Sequence, residues 1–195
     1  MLSLPGSGAP SRLTSHLNGE TIGIKSVGPF DLGRLARLHR HCFDDPWSRS
    51  DLAHLLALPG GFGLLARVYD RNFAGLDGIR GAGFSLCRVV REECELLSIG
   101  VGPGYRRRGI GTALLRASME RCSRAGARAM FLEVAVDNEE AQALYRRYGF
   151  REVGRREGYY LRRDGSRISA YTMRRDLADG PFDLAAPAAP PPPNG

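Results

Sequence analysis

The run GYRRRGIGTALL, Gly104 to Leu115, places three arginines directly before a Gly-Ile-Gly step and then opens an apolar pattern of helical spacing. The first N–H groups of a helix have no partner within it, and the helix dipole adds about half a positive charge at that end. Gly109 and Gly111 let a ligand approach the backbone without meeting a Cβ. The chemistry is anion binding, and a pyrophosphate fits it. A Walker loop fails, because GxxxxGK[ST] is absent and no lysine lies nearby. A Rossmann turn has the step Gly109-x-Gly111 and an acidic residue, Glu133, about twenty residues on, but Leu114 stands at the third glycine position. A lone G-x-G is a weak signal.

The elements around this loop follow from apolar periodicity. TIGIKSV reads as a strand, and FDLGRLARLHRHCF puts Leu32, Leu35, Leu38 and Cys42 on one helical stripe. PWSRSDLAHLLAL reads as a second helix, with Ser48 and Asp51 at capping-box spacing. GFGLLARVY and GAGFSLCRVV are strands joined by the loop Asp70 to Gly81, too long for a tight hairpin. CELLSIGV follows as a strand, with Leu97, Ile99 and Val101 expected on one face. Ile110, Leu114, Leu115, Met119 and Cys122 then keep helical spacing as far as a C-terminal cap at Gly126. AMFLEVAV is a strand, Asn138 an N-cap, EEAQALYRRY a helix, and Gly149 its C-cap. FREVGRREGYYL and SAYTMRRDL close the chain as two strands about an Asp164-Gly165 turn. The order is mixed α/β and is not that of a simple doubly wound sheet.

A third phosphate-loop reading fits the arginines as well as the glycines. Arg106, Arg107, Arg108, Gly109, Ile110 and Gly111 match [RQ]-x-x-G-x-[GA] between a strand and a helix, and in this the chain resembles the GCN5-related N-acetyltransferase (GNAT) superfamily. FLEVAVDNEEAQALYRRYGF, CFDDPWS and GYY are similar to the bacterial ribosomal-protein alanine N-acetyltransferases, the RimI-like group. The resemblance covers residues 21 to 178. It implies a mostly antiparallel mixed sheet, splayed at the acetyl-CoA site and flanked by about four helices. It also implies that N–H groups from Gly109 to Thr112, within the field of the three arginines, hold the CoA pyrophosphate. The strand Ile99, Gly100, Val101 would pair with pantetheine, and Asn138 would contact CoA while capping its helix.

The same resemblance assigns the chemistry. Acetyl transfer needs an amine with a free lone pair, a site for the thioester oxygen's developing charge, and a proton for the departing thiolate. Glu133 matches the base, acting through water, and Tyr145 matches the acid; a backbone N–H near Ile99 to Val101 would meet the oxygen. Taken singly, a Glu in a strand is usually solvent-facing or paired with arginine, and a Tyr beside Leu144 usually packs in a core. Trp47, Tyr159 and Tyr160 would line the acceptor cleft, although the only Trp of a chain is more often a core residue. An α-amine has a pKa near 8 against about 10.4 for lysine, so at neutral pH it is about 3.4 kcal/mol easier to neutralise. The acceptor implied is the N-terminal amine of a ribosomal protein, with a small-molecule amine or lysine as the alternative. Ser169-Ala170 stands where that group commonly has Asp-Ala, and the loop Asp70 to Gly81 looks enlarged; both bear on the acceptor.

Charge and composition set the outer bounds. The 195 residues, 43% hydrophobic, suit one domain with a core. Of the net +7, the stretch Gly102 to Arg128 carries seven arginines against Glu120 alone, and Arg146 to Asp176 is again strongly basic. This suits an anionic ligand, small or polymeric; a nucleic-acid-binding module is the remote alternative, and direct nucleic-acid contact is not expected. Four cysteines without a CxxC pair suggest neither a disulfide framework nor a metal site. No leader and no run of ~18 apolar residues is present, so no membrane partner is expected and a cytoplasmic location is. Residues 1–20 and the Pro-rich 179–195 are expected to be flexible and outside the fold.

Overall fold

The computed structural model describes residues 13–17, 20–69 and 79–177. Among the described residues eight strands form one sheet, in the order β1-β2-β3-β4-β5-β6-β8-β7. They are β1 (Leu13–Leu17), β2 (Glu20–Ser26), β3 (Gly61–Tyr69), β4 (Ile79–Val90), β5 (Glu93–Val101), β6 (Ala129–Ala135), β7 (Arg151–Leu161) and β8 (Arg167–Asp176). The helices are α1 (Leu32–Cys42), α2 (Arg49–Ala57), α3 (Ile110–Arg124) and α4 (Glu139–Arg147). Every neighbouring pair of strands is antiparallel except β5 and β6, which are parallel and joined through α3. The mixed, mostly antiparallel α/β sheet with four helices is the architecture expected from the sequence.

Alternation along the strands divides the core in two. On one face Leu114, Leu115, Met119 and Cys122 of α3 pack with Leu64 and Ala66 of β3, Leu96 of β5 and Leu132 and Val134 of β6. On the other, Leu35 and Leu38 of α1 and Leu52 of α2 meet Leu65, Phe84 and Leu86. Local chemistry sets the helix ends. Ser48 Oγ accepts the Asp51 N–H while the Asp51 carboxylate accepts the Ser48 N–H, the expected capping box. Asn138 Oδ1 accepts the Ala141 N–H at the start of α4, and Gly149 takes a left-handed φ of 77° after its end.

Three features depart from the sequence reading. β1 pairs with β2 from Leu13↔Ile24 to Leu17↔Glu20, so the sheet begins before residue 21. Residues 1–12 and 178–195, with the loop 70–78, lie outside the described residues. Leu97 does not share a face with Ile99 and Val101. The pairing of β4 with β5 jumps from Leu86↔Ser98 to Cys87↔Leu96, which makes Leu97 the extra residue of a bulge and reverses the alternation beyond it. Leu97 therefore packs on the α1/α2 face, and Ile99 and Val101 on the α3 face. Finally, Cys94 of β5 and Cys122 of α3 form a disulfide, where the spacing of the cysteines suggested none. Packing α3 onto the sheet joins two residues 28 apart in sequence, a proximity that no local motif announces. Cys87 brings a third sulfur within 4.8 Å of both, and all three residues are buried.

Candidate active site

The parallel pair β5/β6 is joined over a short stretch only. Its ladder runs from Glu93↔Ala129 to Leu96↔Leu132 and ends at the Leu97 bulge. Beyond that point β5 stays with β4 as far as Gly83↔Val101, while β6 stays with β8 as far as Ala135↔Ala170. The two strands diverge and leave a wedge between them. The Gly102 N–H donates to Ala82 O on the β4 side, so alternation turns the N–H and C=O groups of Val101 and Ile99 towards the wedge. Arg106 Nε donates to Val101 O, consistent with that direction. An extended amide chain laid in the wedge would meet the Ile99 and Val101 backbone groups there, with Arg106 as its competitor for Val101 O.

The arginine-glycine loop lies at the mouth of this wedge. Gly109 sits at φ 71°, a left-handed turn that glycine adopts without cost, and Arg107 shares that region at 62°. The first hydrogen bond of α3 runs from the Ala113 N–H to Gly109 O, so the N–H groups of Ile110, Gly111 and Thr112 precede the helical ladder. Side chains of Val101 and Leu144 are the nearest atoms to the Cβ that Gly111 lacks, at 3.7 and 3.8 Å, which places the helix start between β5 and α4. Around it, Arg107 reaches Glu140 at 3.7 Å from an exposed position, and the Arg108 guanidinium lies 5.7 Å from the Tyr105 ring centre. A glycine turn, leading N–H groups and three guanidinium groups fit the pyrophosphate of CoA, and the open edge of β5 fits its amide arm.

On the other wall, Glu133 of β6 lies just past the last β5/β6 pair, its side chain 14% exposed. Burial raises its pKa, the nearby Glu95 carboxylate raises it further, and Arg156 opposes both through a 3.1 Å contact with Oε1. Tyr145 of α4 is buried, its ring centre 5.8 Å from that of Phe150, and burial raises its pKa. The hydroxyl is protonated at neutral pH, and the shift makes it a weaker acid, so a role in proton donation rests on its position and not on its acidity. Tyr160 O–H donates to Glu133 O at 3.0 Å, and its pKa is raised by burial and by the neighbouring Tyr159, Glu133 and Tyr145. Tyr159 meets Tyr160 edge to face at 4.8 Å and carries the Arg156 guanidinium over its ring. Glu133, Tyr145, Tyr159 and Tyr160 thus share one neighbourhood. Asn138 caps α4 from the end of this wall, where Gln142 Nε2 donates to both Ala135 O and Val136 O.

Trp47 stands apart from that group. It packs in the α1/α2 core, where its ring stacks on buried His39 with centres 5.0 Å apart. Arg156, Glu95 and His39 are absent from the sequence reading although each borders the wedge or its loops. Arg156 and Glu95 meet Glu133 only through strand pairing, which leaves no local signal. His39 was detectable, four residues after Leu35 on the buried stripe of α1.

Comparison with known proteins gives the family and the fold. The sequence pattern of the "Acetyltransferase (GNAT) family" matches residues 32–150. The chain is 40% identical over 162 residues to the N-alpha-acetyltransferase RimI of Mycobacterium tuberculosis, covering 82% of this chain and 96% of that one. It is 37% identical over 144 residues to the [ribosomal protein bS18]-alanine N-acetyltransferase of Escherichia coli K12, covering 73% and 89% respectively. The crystal structure of the ribosomal-protein-S18-alanine N-acetyltransferase from Escherichia coli superposes with a TM-score of 0.69 at 27% identity, over 85% of this chain and 99% of that one. Among the described residues no helix is long and apolar enough to cross a membrane.

Proposed function

The chain belongs to the acetyltransferase (GNAT) family and is an acetyl-CoA-dependent N-acetyltransferase, and from that premise we propose that its acceptor is the N-terminal α-amine, alanine first, of a ribosomal protein. The observation that carries this reading is the wedge itself, with a phosphate-binding mouth at one end and a half-buried carboxylate on its second wall. The names of the relatives in Mycobacterium tuberculosis and Escherichia coli support the acceptor class. The reaction belongs in the cytoplasm, where ribosomal proteins are made.

Bound acetyl-CoA supplies a thioester carbon open to attack by an amine. N–H groups of Ile110, Gly111 and Thr112, with Arg106, Arg107 and Arg108 around them, hold the phosphates, and the free edge of β5 orients the arm. Glu133 takes the proton of the incoming ammonium through water, a task that its raised pKa brings closer to that of an α-amine. The Ile99 or Val101 N–H aimed into the wedge receives the charge that develops on the thioester oxygen. Tyr145, protonated at neutral pH, gives its proton to the departing sulfur. Tyr159 and Tyr160, on the strand opposite, border the path by which the acceptor enters.

Incubation with acetyl-CoA and an Ala-starting peptide, beside a panel of small amines and an N-terminally blocked lysine peptide, tests the acceptor by mass spectrometry. The Ala-starting peptide is expected to gain one acetyl group at its α-amine and to outcompete the others. Acetylation confined to small amines or to lysine would replace the acceptor and leave the reaction standing.

A further inference from the structure

His39 is an imidazole on a stripe otherwise made of leucine, alanine and cysteine, and it is only 2% exposed. A buried polar ring in such a place costs free energy unless both nitrogens find partners. Both do. Nδ1 accepts the Trp47 backbone N–H at 3.2 Å, and Nε2 lies 3.4 Å from Ser98 Oγ. Accepting at Nδ1 puts the proton of the neutral ring on Nε2, where it points at the serine hydroxyl. The His39 carbonyl also accepts the Phe43 N–H at 3.0 Å. One residue therefore holds both ends of the connection from Phe43 to Trp47 between α1 and α2. Its ring is stacked between Phe43 and Trp47, with centres at 4.5 and 5.0 Å, and tilts against Phe84 at 5.4 Å.

The position of that connection makes the contact relevant to function. Ser98 is the residue just past the Leu97 bulge, one step before Ile99, whose backbone faces the wedge. One turn along α1 from His39, Cys42 Sγ lies 3.0 Å from the Cβ position that Gly100 leaves empty. On its outer side the connection meets the β7–β8 turn, where Arg163 Nε pairs with Asp44 Oδ1 at 3.1 Å and Arg163 also donates to Phe43 O. The connection thus lies between the strand that carries the wedge groups and the hairpin that carries Tyr159 and Tyr160. We propose that His39 is a positioning residue: by tying Trp47 to Ser98 it fixes the Phe43–Trp47 connection against β5 and so sets the entrance through which the acceptor amine reaches the wedge. This rests on the wedge being the site of acetyl transfer. It adds a residue that touches neither substrate and acts on the acceptor side alone.

Three variants separate this role from simple core packing. His39→Leu keeps apolar volume and removes both ring hydrogen bonds; His39→Asn keeps an acceptor where Nδ1 stands; His39→Gln keeps a donor near Nε2. For whichever amine the wild-type enzyme acetylates, His39→Leu is expected to raise acceptor KM about tenfold, the scale of one lost buried hydrogen bond, while the acetyl-CoA Kd moves less than about twofold. Asn should restore most of the acceptor KM and Gln should not, because the Trp47 N–H needs an acceptor. Fluorescence of Trp47, the only tryptophan of the chain, reports the connection directly. Its quenching by acrylamide should rise in the Leu and Gln variants and return in Asn. A lower melting temperature with unchanged acceptor KM and unchanged quenching would reduce His39 to a core residue and overturn the proposal, as would an equal loss of acetyl-CoA affinity. An acceptor other than a peptide revises the proposed acceptor without touching this test, since the quenching and the ratio of the two effects are read on any amine.

Discussion

Glu133 sits between opposing influences. Burial and the Glu95 carboxylate disfavour its ionised form, and Arg156, half exposed at 3.1 Å, favours it. If Glu133 is the base, turnover needs it ionised and falls as pH drops through its pKa. Arg156 holds that pKa down, so Arg156→Ala should move the acid limb of the kcat/KM profile to higher pH and leave the plateau at high pH close to wild type. Added salt screens an exposed pair and should move the wild-type limb the same way, with little effect on the variant. An acid limb that stays in place in Arg156→Ala would mean that another group, the acceptor amine included, sets it. The sequence shows Glu133 as a polar interruption of an apolar strand, which marks it for notice. It cannot show Arg156, because β7 reaches β6 only across β8, through two register irregularities that no local pattern encodes. The ordinary expectation for a strand glutamate, pairing with arginine, is met here, and the proposed role as base is compatible with it, since the pair tunes the carboxylate.

At the scale of elements, the packing of α1 onto β5 turns on one missing side chain. A Cβ on Gly100 would come 2.8 Å from Phe84 Cε1 and 3.0 Å from Cys42 Sγ, against a ring and a helix side chain that are both held in the core. Gly104, three residues past the end of β5, has nothing within 4 Å of the same position. Gly100→Ala should therefore cost about 1–3 kcal/mol of stability, and Gly104→Ala should stay within about 0.5 kcal/mol of wild type. Denaturant unfolding of the two variants measures the difference. Because Gly100 lies between Ile99 and Val101, the first substitution should also weaken acetyl-CoA binding, and equal stabilities would show that α1 gives way at no cost. The periodicity that places α1, α3 and α4 is plain in the sequence, since each buries one stripe and the caps are local. The bulge at Leu97 is not. It exists because β4 and β5 pair out of step by one residue, and it sends Leu97 to one core and Ile99 to the other. The end of the β5/β6 ladder at that bulge is where the wedge starts, so the feature that makes the site is the one that alternation alone misreads. The Cys94–Cys122 link is hidden for the same reason, being a product of helix-on-sheet packing.

Across the whole molecule, one positive field acts in opposite directions on the two substrates. The chain carries +7, concentrated in Gly102 to Arg128 and Arg146 to Asp176, which brackets the proposed phosphate-binding mouth and the hairpin beside the proposed acceptor path. A polyphosphate donor is drawn in by this field, whereas a lysine-rich acceptor is repelled until its ammonium comes within reach of Glu133 and Glu95. Such long-range terms fade once the screening length drops to about 10 Å and below, while the local contact at a half-buried carboxylate is screened far less. Raising monovalent salt from about 50 to about 300 mM should therefore lower kcat/KM for acetyl-CoA. Over the same range, kcat/KM for a lysine-rich Ala-starting peptide should rise relative to an Ala-starting peptide of no net charge. Measuring the three salt slopes side by side decides the matter, because a general effect of salt on folding or turnover would move all three together. Parallel slopes would show that the arginine-rich surface does not steer either substrate, and that the anion site works through its backbone N–H groups at contact range.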